Sequence, residues 1–203
     1  MTIKPITQKE INEVVRVHNS AFQNFFLTSL GPKFLNLYYS SFLKSNQGIM
    51  AGAYLDDKLI GFAATCKKSS GFNSSLIKEN LLKFSFVSLG LMFTRPKALI
   101  RLLKNFTKRD NIEVDGIVDE GQYAELMSIA VSKDVQNTGV GKQLVEYTEN
   151  KLREEGISSL SLTTDQKENE NTLAFYKKRG FEKMYDFTSY PDRKMVRLIK
   201  NLI

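Results

Sequence analysis

The sequence predicts an α/β (α+β) domain built on a mixed sheet. Two helical patterns and a hairpin pattern come first. A basic, irregular stretch follows, and from Gln122 onward a regular strand–helix alternation completes the order ααββ–insertion–βαβαββ. With 203 residues, 42% of them apolar, the chain is long enough for one sizeable core. Its 12 Gly and 4 Pro leave no collagen-like or linker architecture to consider. The expectation is one domain over residues 1–203, with an insertion near 67–121.

Thr7-Gln8-Lys9-Glu10 has the form of a capping box, in which a Thr oxygen caps free amides and the Glu reaches back. Ile11, Val14, Val15 and His18 then follow at helical spacing, so the first helix spans about 8–20. Gly31-Pro32 breaks the chain. Phe34, Leu35, Leu37, Tyr38 and Phe42 mark a second amphipathic helix ending near Lys44. Ile49–Leu55 and Leu59–Cys66 are strand-like on either side of the turn Asp56-Asp57-Lys58, an antiparallel hairpin. Leu76–Phe93 is strongly apolar with interspersed Lys, Lys97–Phe106 is a short basic amphipathic helix, and 111–121 is an acidic loop. Further on, Tyr123–Val131 is a strand, Gly139–Glu155 a helix, Ile157–Thr164 a strand and Asn169–Arg179 a helix closed by Gly180. Phe181–Tyr190 and Lys194–Leu202 are the last two strands.

Composition removes several function classes. One cysteine, Cys66, allows no intramolecular disulfide framework and no Cys-rich zinc site. One histidine, His18, leaves no His pair for a metal, so no metal is expected. The first residues lack a signal-peptide core, and no run of about 18 apolar residues suggests a membrane span, so the expected setting is cytoplasmic. The net charge of +7 is uneven: ten Lys or Arg between Lys67 and Arg109 face one acid, Glu79, which concentrates +9 there and leaves −2 elsewhere.

The segment that carries chemistry runs from Leu126 to Lys142. An apolar strand enters a loop of form Gln-x-x-Gly-x-Gly and a helix follows at once. Glycines let the backbone approach a ligand, and the free amides of a helix start, with the positive end of its dipole, suit a phosphate or pyrophosphate. The loop is neither the dinucleotide Gly-x-Gly-x-x-Gly nor a P-loop, since Gln143 follows Gly141-Lys142. A tight strand-to-helix turn is the structural alternative.

Here the sequence resembles the GNAT superfamily of acyl-CoA-dependent N-acyltransferases. Ile129-Ala130-Val131 through Gly141 is similar to that family's strand and coenzyme A loop. Asn169 to Phe181 resembles its Asn-x-x-Ala-x-x-Leu-Tyr-x-x-x-Gly-Phe helix, with Thr172 in place of a common Ala and Asn137 in place of a common Gly. The resemblance covers roughly residues 122–190 and implies a mostly antiparallel central sheet, splayed at the cofactor site and flanked by helices. It further implies acetyl-CoA as co-substrate and a primary amine as acceptor. The backbone around Gln136, Asn137, Thr138, Gly139, Val140, Gly141 and Lys142 would surround the pyrophosphate. Ile129, Ala130 and Val131 would line the pantetheine arm, with Ile129 and Val131 pairing with its amides as a strand would. Tyr176 would give a proton to the departing thiolate. Asn169 would bond the pantetheine or fix its loop, with a helix N-cap as the alternative.

An ammonium has no lone pair, so the amine must lose a proton before attack. Glu125, on the strand leading to Ile129, is the candidate base, because partial desolvation in the splay would raise its pKa; a surface strand carboxylate is the competing reading. A main-chain amide near Ile129 could polarise the thioester oxygen. Cys66 is expected as a buried apolar thiol and His18 as structural. The aromatic loop Phe22, Phe25, Phe26 with Tyr38 and Tyr39 belongs to the core or the acceptor surface. Three readings fit the basic insertion: a lid over an anionic acceptor, a peripheral contact with an anionic membrane, or a homodimer contact with a solvated basic face. No recognition motif supports nucleic acid. From a different class, the chain would be a non-catalytic acyl-CoA-binding module that recruits a partner or membrane through the insertion.

Overall fold

The computed structural model describes residues 1–23, 25–107, 112–114, 117–190 and 192–203. Lys108 and Arg109 of the basic segment lie outside the described residues, as do Asn111, Asp115 and Gly116 of the expected acidic loop.

The chain begins with β1 (Thr2–Pro5), a 3₁₀ turn (Gln8–Glu10) and α1 (Ile11–Ala21). The Glu10 carboxylate accepts from the Thr7 amide at 2.7 Å, the reach-back half of the capping box, while the Thr7 hydroxyl also donates to Glu10 at 2.6 Å. Next come α2 (Phe26–Ser29) and α3 (Pro32–Lys44), the latter entered through Gly31 at φ 85° and Pro32 in its first turn. β2 (Gly48–Leu55) and β3 (Lys58–Cys66) form the expected hairpin. Its turn residues Asp56 and Asp57 have φ of 48° and 60°, a conformation Asp tolerates.

Helices α4 (Phe72–Glu79), α5 (Leu81–Thr94) and α6 (Pro96–Thr107) fill the insertion, followed by the short antiparallel pair β4 (Ile112–Val114) and β5 (Ile117–Asp119). This pair corrects the expected loop: its strands are three residues each, too short for an alternation to show. β1 was also unforeseen; four residues at a sheet edge, mostly exposed, carry no hydrophobic period. The remainder follows the expected order: β6 (Ala124–Val131), α7 (Val140–Glu154), β7 (Ser159–Asp165), α8 (Glu170–Lys177), β8 (Glu182–Ser189) and β9 (Arg193–Asn201).

Seven strands make one open sheet in the order β1-β2-β3-β6-β7-β9-β8, antiparallel throughout except for β6 with β7. Apolar side chains alternate between its two faces. One face packs Met50, Leu59 and Phe62 under α1, α3 and the insertion, with Phe42 and Phe72 ring to ring at 4.8 Å. The other packs Ala51, Ala63 and Leu160 under α7 and α8, through Leu144, Leu152 and Tyr176. The insertion therefore belongs to the first core, since Phe72, Leu76, Phe84 and Leu91 are buried in it.

Gly48 opens β2 in direct contact with the end of α3: a Cβ there would lie 2.3 Å from the Phe42 carbonyl oxygen. Main chain cannot yield as a flexible side chain would. Gly48→Ala is expected to lower stability by about 2 kcal/mol, measured by urea unfolding; an unchanged midpoint would contradict this.

Candidate active site

The sheet is open in its middle. β6 and β7 pair at only two positions, Ala124↔Leu160 and Glu125↔Ser161, although each strand runs on well past them. The divergence coincides with a bulge. Against β3, Ala64 pairs with Ser128 and Thr65 with Leu126, so Met127 has no partner of its own. A bulge bends its strand and increases local twist, which turns β6 away from β7 beyond Leu126.

Strand parity then tells which main-chain groups face the gap. The Ser132 amide donates to the Ile60 carbonyl at 2.7 Å, so Ser132 and Ala130 direct their polar groups to β3. Those of Ile129 and Val131 point the other way, along the open edge. The Val131 carbonyl accepts from Gln136 Nε2 at 3.2 Å. Ala130 is not brought to that edge, for its main chain pairs toward Phe62 and its side chain is buried.

Past the open edge the chain enters Gln136–Lys142, which lies at the surface apart from buried Val140. Asn137 sits at φ 62° and Gly139 at φ 92°. Asn is among the few side chains that adopt this region readily, which accounts for its presence where the resembling family commonly has Gly. Thr138 Oγ1 ties back to the Val135 carbonyl at 2.7 Å. Gly139 is the N-cap of α7 without a side-chain cap. Among the described residues the amides of Asn137 through Lys142 meet no acceptor. They form an outward-facing row at the start of a 15-residue helix, an arrangement whose charge and geometry suit an anion. The Lys142 ammonium faces Glu146 at 3.6 Å, so Lys142 brings mainly its amide to the row. The row adjoins the open strand, because a Cβ at Gly141 would lie 3.6 Å from the Phe175 ring and 3.9 Å from Val131.

A cleft of about 1290 Å³ runs through the opening, lined by His18 and Phe22 from the α1 side and by Thr172 and Tyr176 from the α8 side. Glu125, Ile129, Asn169 and Tyr176 all line it, so the structure gathers these four residues from distant stretches of sequence. Asn169 takes the N-cap position of α8, yet its Nδ2 donates to Thr164 Oγ1 at 2.8 Å and the Asp165 carbonyl at 2.9 Å, fixing the loop to β7. Tyr176 is buried between Phe175 and Phe181, its hydroxyl makes no hydrogen bond among the described residues, and burial pushes its pKa up. The phenol therefore keeps its proton throughout the physiological range.

Glu125 is buried rather than on the surface, and it is held from two sides. Oε2 accepts from Ser69 Oγ, and Oε1 lies 3.4 Å from Arg197 Nη1. Arg197 is itself buried, 3.3 Å from Asp119, and donates to Tyr185 Oη and Ser161 Oγ at 3.0 Å each. Burial opposes charge on Arg197, but Glu125, Tyr123, Tyr185 and Asp119 together push its pKa up. Asp119, also pressed toward neutrality by burial, is held below the usual carboxylate range by the Tyr123 and Tyr185 hydroxyls, the Gly121 amide and Arg197. Sequence reasoning missed this network. The one available signal was an arginine inside the apolar run Met195–Ile199.

His18 is also more than packing. Its Nδ1 lies 2.8 Å from Tyr39 Oη, and that hydroxyl donates to Ser128 Oγ at 3.2 Å. Nε2 is buried without a partner, and His18 lines the cleft. Asp186 Oδ1, another cleft residue's acceptor, has no partner either, whereas Arg101 supplies an Nε–H without an acceptor. No cluster of three or more His, Cys, Asp or Glu able to hold a metal occurs among the described residues.

A mixed sheet wedged apart at its centre, with a row of outward-facing amides beside the opening and a cleft running through it, has the form of a protein that seats an extended ligand between strands. A family model described as Acetyltransferase (GNAT) family matches residues 11–181, and the chain belongs to that family. No curated protein sequence matches it. Solved structures similar in fold include a ribosomal-protein-alanine N-acetyltransferase from Brucella melitensis, at TM-score 0.65 and 13% identity over 99% of both chains. An aminoglycoside 6'-acetyltransferase type Ii is similar at TM-score 0.61 and 15% identity, covering 100% of this chain and 98% of the other. The PaiA N-acetyltransferase from Thermoplasma acidophilum, solved in complex with coenzyme A, is similar at TM-score 0.56 and 14% identity over 98% of both. At these identities the likeness establishes the fold.

Burial pushes the His18 pKa from its ordinary 6.5 down to about 4. Between those values the unfolded chain takes up a proton that the folded chain refuses, so stability falls as pH is lowered through the window and is whole above it. At pH 5 the loss is about 2 kcal/mol. Because the chain has one histidine, His18→Gln should flatten the profile between pH 5 and 7 in urea unfolding. An equal loss at pH 5 in both proteins would refute this.

Proposed function

We propose that the protein is an acetyl-CoA-dependent N-acetyltransferase that acylates a primary amine within a single domain. The observation that carries this reading is the open edge of β6. Main-chain groups of Ile129 and Val131 face a gap where β7 has diverged, next to six unpartnered amides. A pantetheine arm carries amides along its length and a diphosphate at one end, so it can complete the sheet with its chain while those amides of the loop hold its charge. Gly139 and Gly141 serve by their backbone and their lack of bulk. Gln136 steadies the strand-to-loop corner through the Val131 carbonyl, and Asn169 holds the α8 loop beside the arm. The co-substrate supplies an activated acyl thioester. A cytoplasmic setting goes with that supply.

The chain's own groups would then manage protons. Tyr176, protonated and without a hydrogen-bond partner among the described residues, donates to the sulfur as the thiolate departs. Glu125 accepts the amine's proton directly or through water. The buried, unpartnered Asp186 Oδ1 and His18 Nε2 give the cleft two polar atoms for an acceptor amine to meet. A main-chain amide near Ile129, on the open edge, would polarise the thioester oxygen.

Calorimetric titration with acetyl-CoA is expected to show binding, and no heat at millimolar ligand would count heavily against this reading. Gly139→Ala forces an L side chain to φ 92° and is expected to weaken that binding at least tenfold, as the loop amides turn away. Tyr176→Phe should keep acetyl-CoA binding while turnover falls by about 10² or more, followed by thiol release with amino sugars, polyamines, amino acids and peptides. A protein that binds acetyl-CoA but turns over none of these amines would be the binding module instead.

A further inference from the structure

Helix α5 carries two apolar faces. Phe84 and Leu91 enter the core, with Phe84 5.6 Å from the Phe34 ring of α3. On the opposite side Leu82, Phe86, Leu89 and Phe93 follow at i, i+4, i+7 and i+11, which sets them in one stripe along the helix. They are 86%, 80%, 55% and 76% exposed. Single exposed hydrophobics are ordinary, but four large ones aligned on one helix face mark an interaction surface. Ile100 on α6 is exposed as well. Exposed cations flank the stripe: Lys78 before it, Lys83 within the helix, and Arg95 and Lys97 after it, against the single acid Glu79. Arg95 is pinned to the Ser29 carbonyl at 2.9 Å, whereas Lys78, Lys83 and Lys97 make no ion pair among the described residues.

We propose that α5 docks on an anionic lipid surface, its stripe entering the interface while Lys78, Lys83 and Lys97 meet headgroup phosphates. Charge selects this occupant. A two-fold contact with a second copy sets the same patch against itself, cation against cation, whereas an anionic bilayer neutralises those cations. No helix among the described residues is long and apolar enough to cross a membrane, and α5, about 21 Å long at 1.5 Å per residue, lies in the interface plane instead. The adjoining α6 lines the cleft through Arg101, while its Lys97 and Ile100 are exposed. The inference does not depend on the acyl-transfer reading.

Co-sedimentation of the full chain with vesicles tests it, using phosphatidylcholine alone and phosphatidylcholine mixed with phosphatidylglycerol. Binding to the mixed vesicles, released by salt, is expected. Phe86→Ser with Phe93→Ser should weaken it at least tenfold, and Lys83→Gln and Lys97→Gln about fivefold each, with acetyl-CoA binding unchanged in all. These positions are exposed, and the lysine variants keep the test alive if the double serine variant fails to fold. Three results would each overturn the proposal: no binding, equal binding to neutral vesicles, or undiminished binding by the variants. A dimer in ultracentrifugation that Phe86→Ser with Phe93→Ser dissociates, without vesicle binding, would assign the stripe to a second copy.

Discussion

A β-sheet is stable because each strand satisfies its neighbour's amides and carbonyls, and this fold gives up part of that satisfaction at its centre. β6 leaves β7 after Glu125↔Ser161, turned by the bulge at Met127, and the main chain of Ile129 is left facing the gap while Gln136 caps the Val131 carbonyl. Unpaired backbone is costly when buried and cheap when solvated or filled by ligand. The rest of the architecture keeps the opening from closing: β3 grips β6 on its other side, β9 grips β7 along its whole length, and α7 packs over β2, β3 and β6.

The point where the strands part is held by charge. Arg197 in β9, Asp119 at the end of β5 and Glu125 in β6 come from three separated stretches of chain and meet out of solvent with two tyrosine hydroxyls. A buried ion pair seldom adds net stability over well-packed apolar side chains, but removing one partner is severe because the other charge is stranded. The network's value here is positional. It fixes Glu125 at the mouth of the wedge, and through Ser69 it ties that carboxylate to the first turn of the insertion.

The insertion is therefore part of the site rather than an appendage. Phe72 and Leu76 anchor it in the core, Ser69 and Arg101 face the cleft, and the far side of α5 faces outward. One 14-residue helix thus separates the chemistry of the interior from whatever meets the exterior. That division explains why its sequence has no clear amphipathic period: both of its faces are apolar, for different reasons.

Much of this was legible in the chain itself. Local rules mark the helices of Ile11–Ala21 and Val140–Glu154, the hairpin across Asp56-Asp57 and the glycine loop, because capping, periodicity and positive-φ turns act over a few neighbouring residues. The motifs around Gln136–Gly141 and Asn169–Phe181 identified the family for the same reason. What local pattern cannot express is pairing between distant residues. Whether β6 stays with β7, whether Arg197 finds Asp119 and Glu125, and whether His18 Nε2 is left without a partner all depend on contacts across tens to more than a hundred positions. The short strands β1, β4 and β5 belong to the same class, for they exist only because a neighbour supplies their hydrogen bonds. Sequence determined the longer helices, the hairpin and the glycine loop; the tertiary structure alone decided that the sheet opens beside that loop, since a strand's partner is chosen by packing over the whole fold.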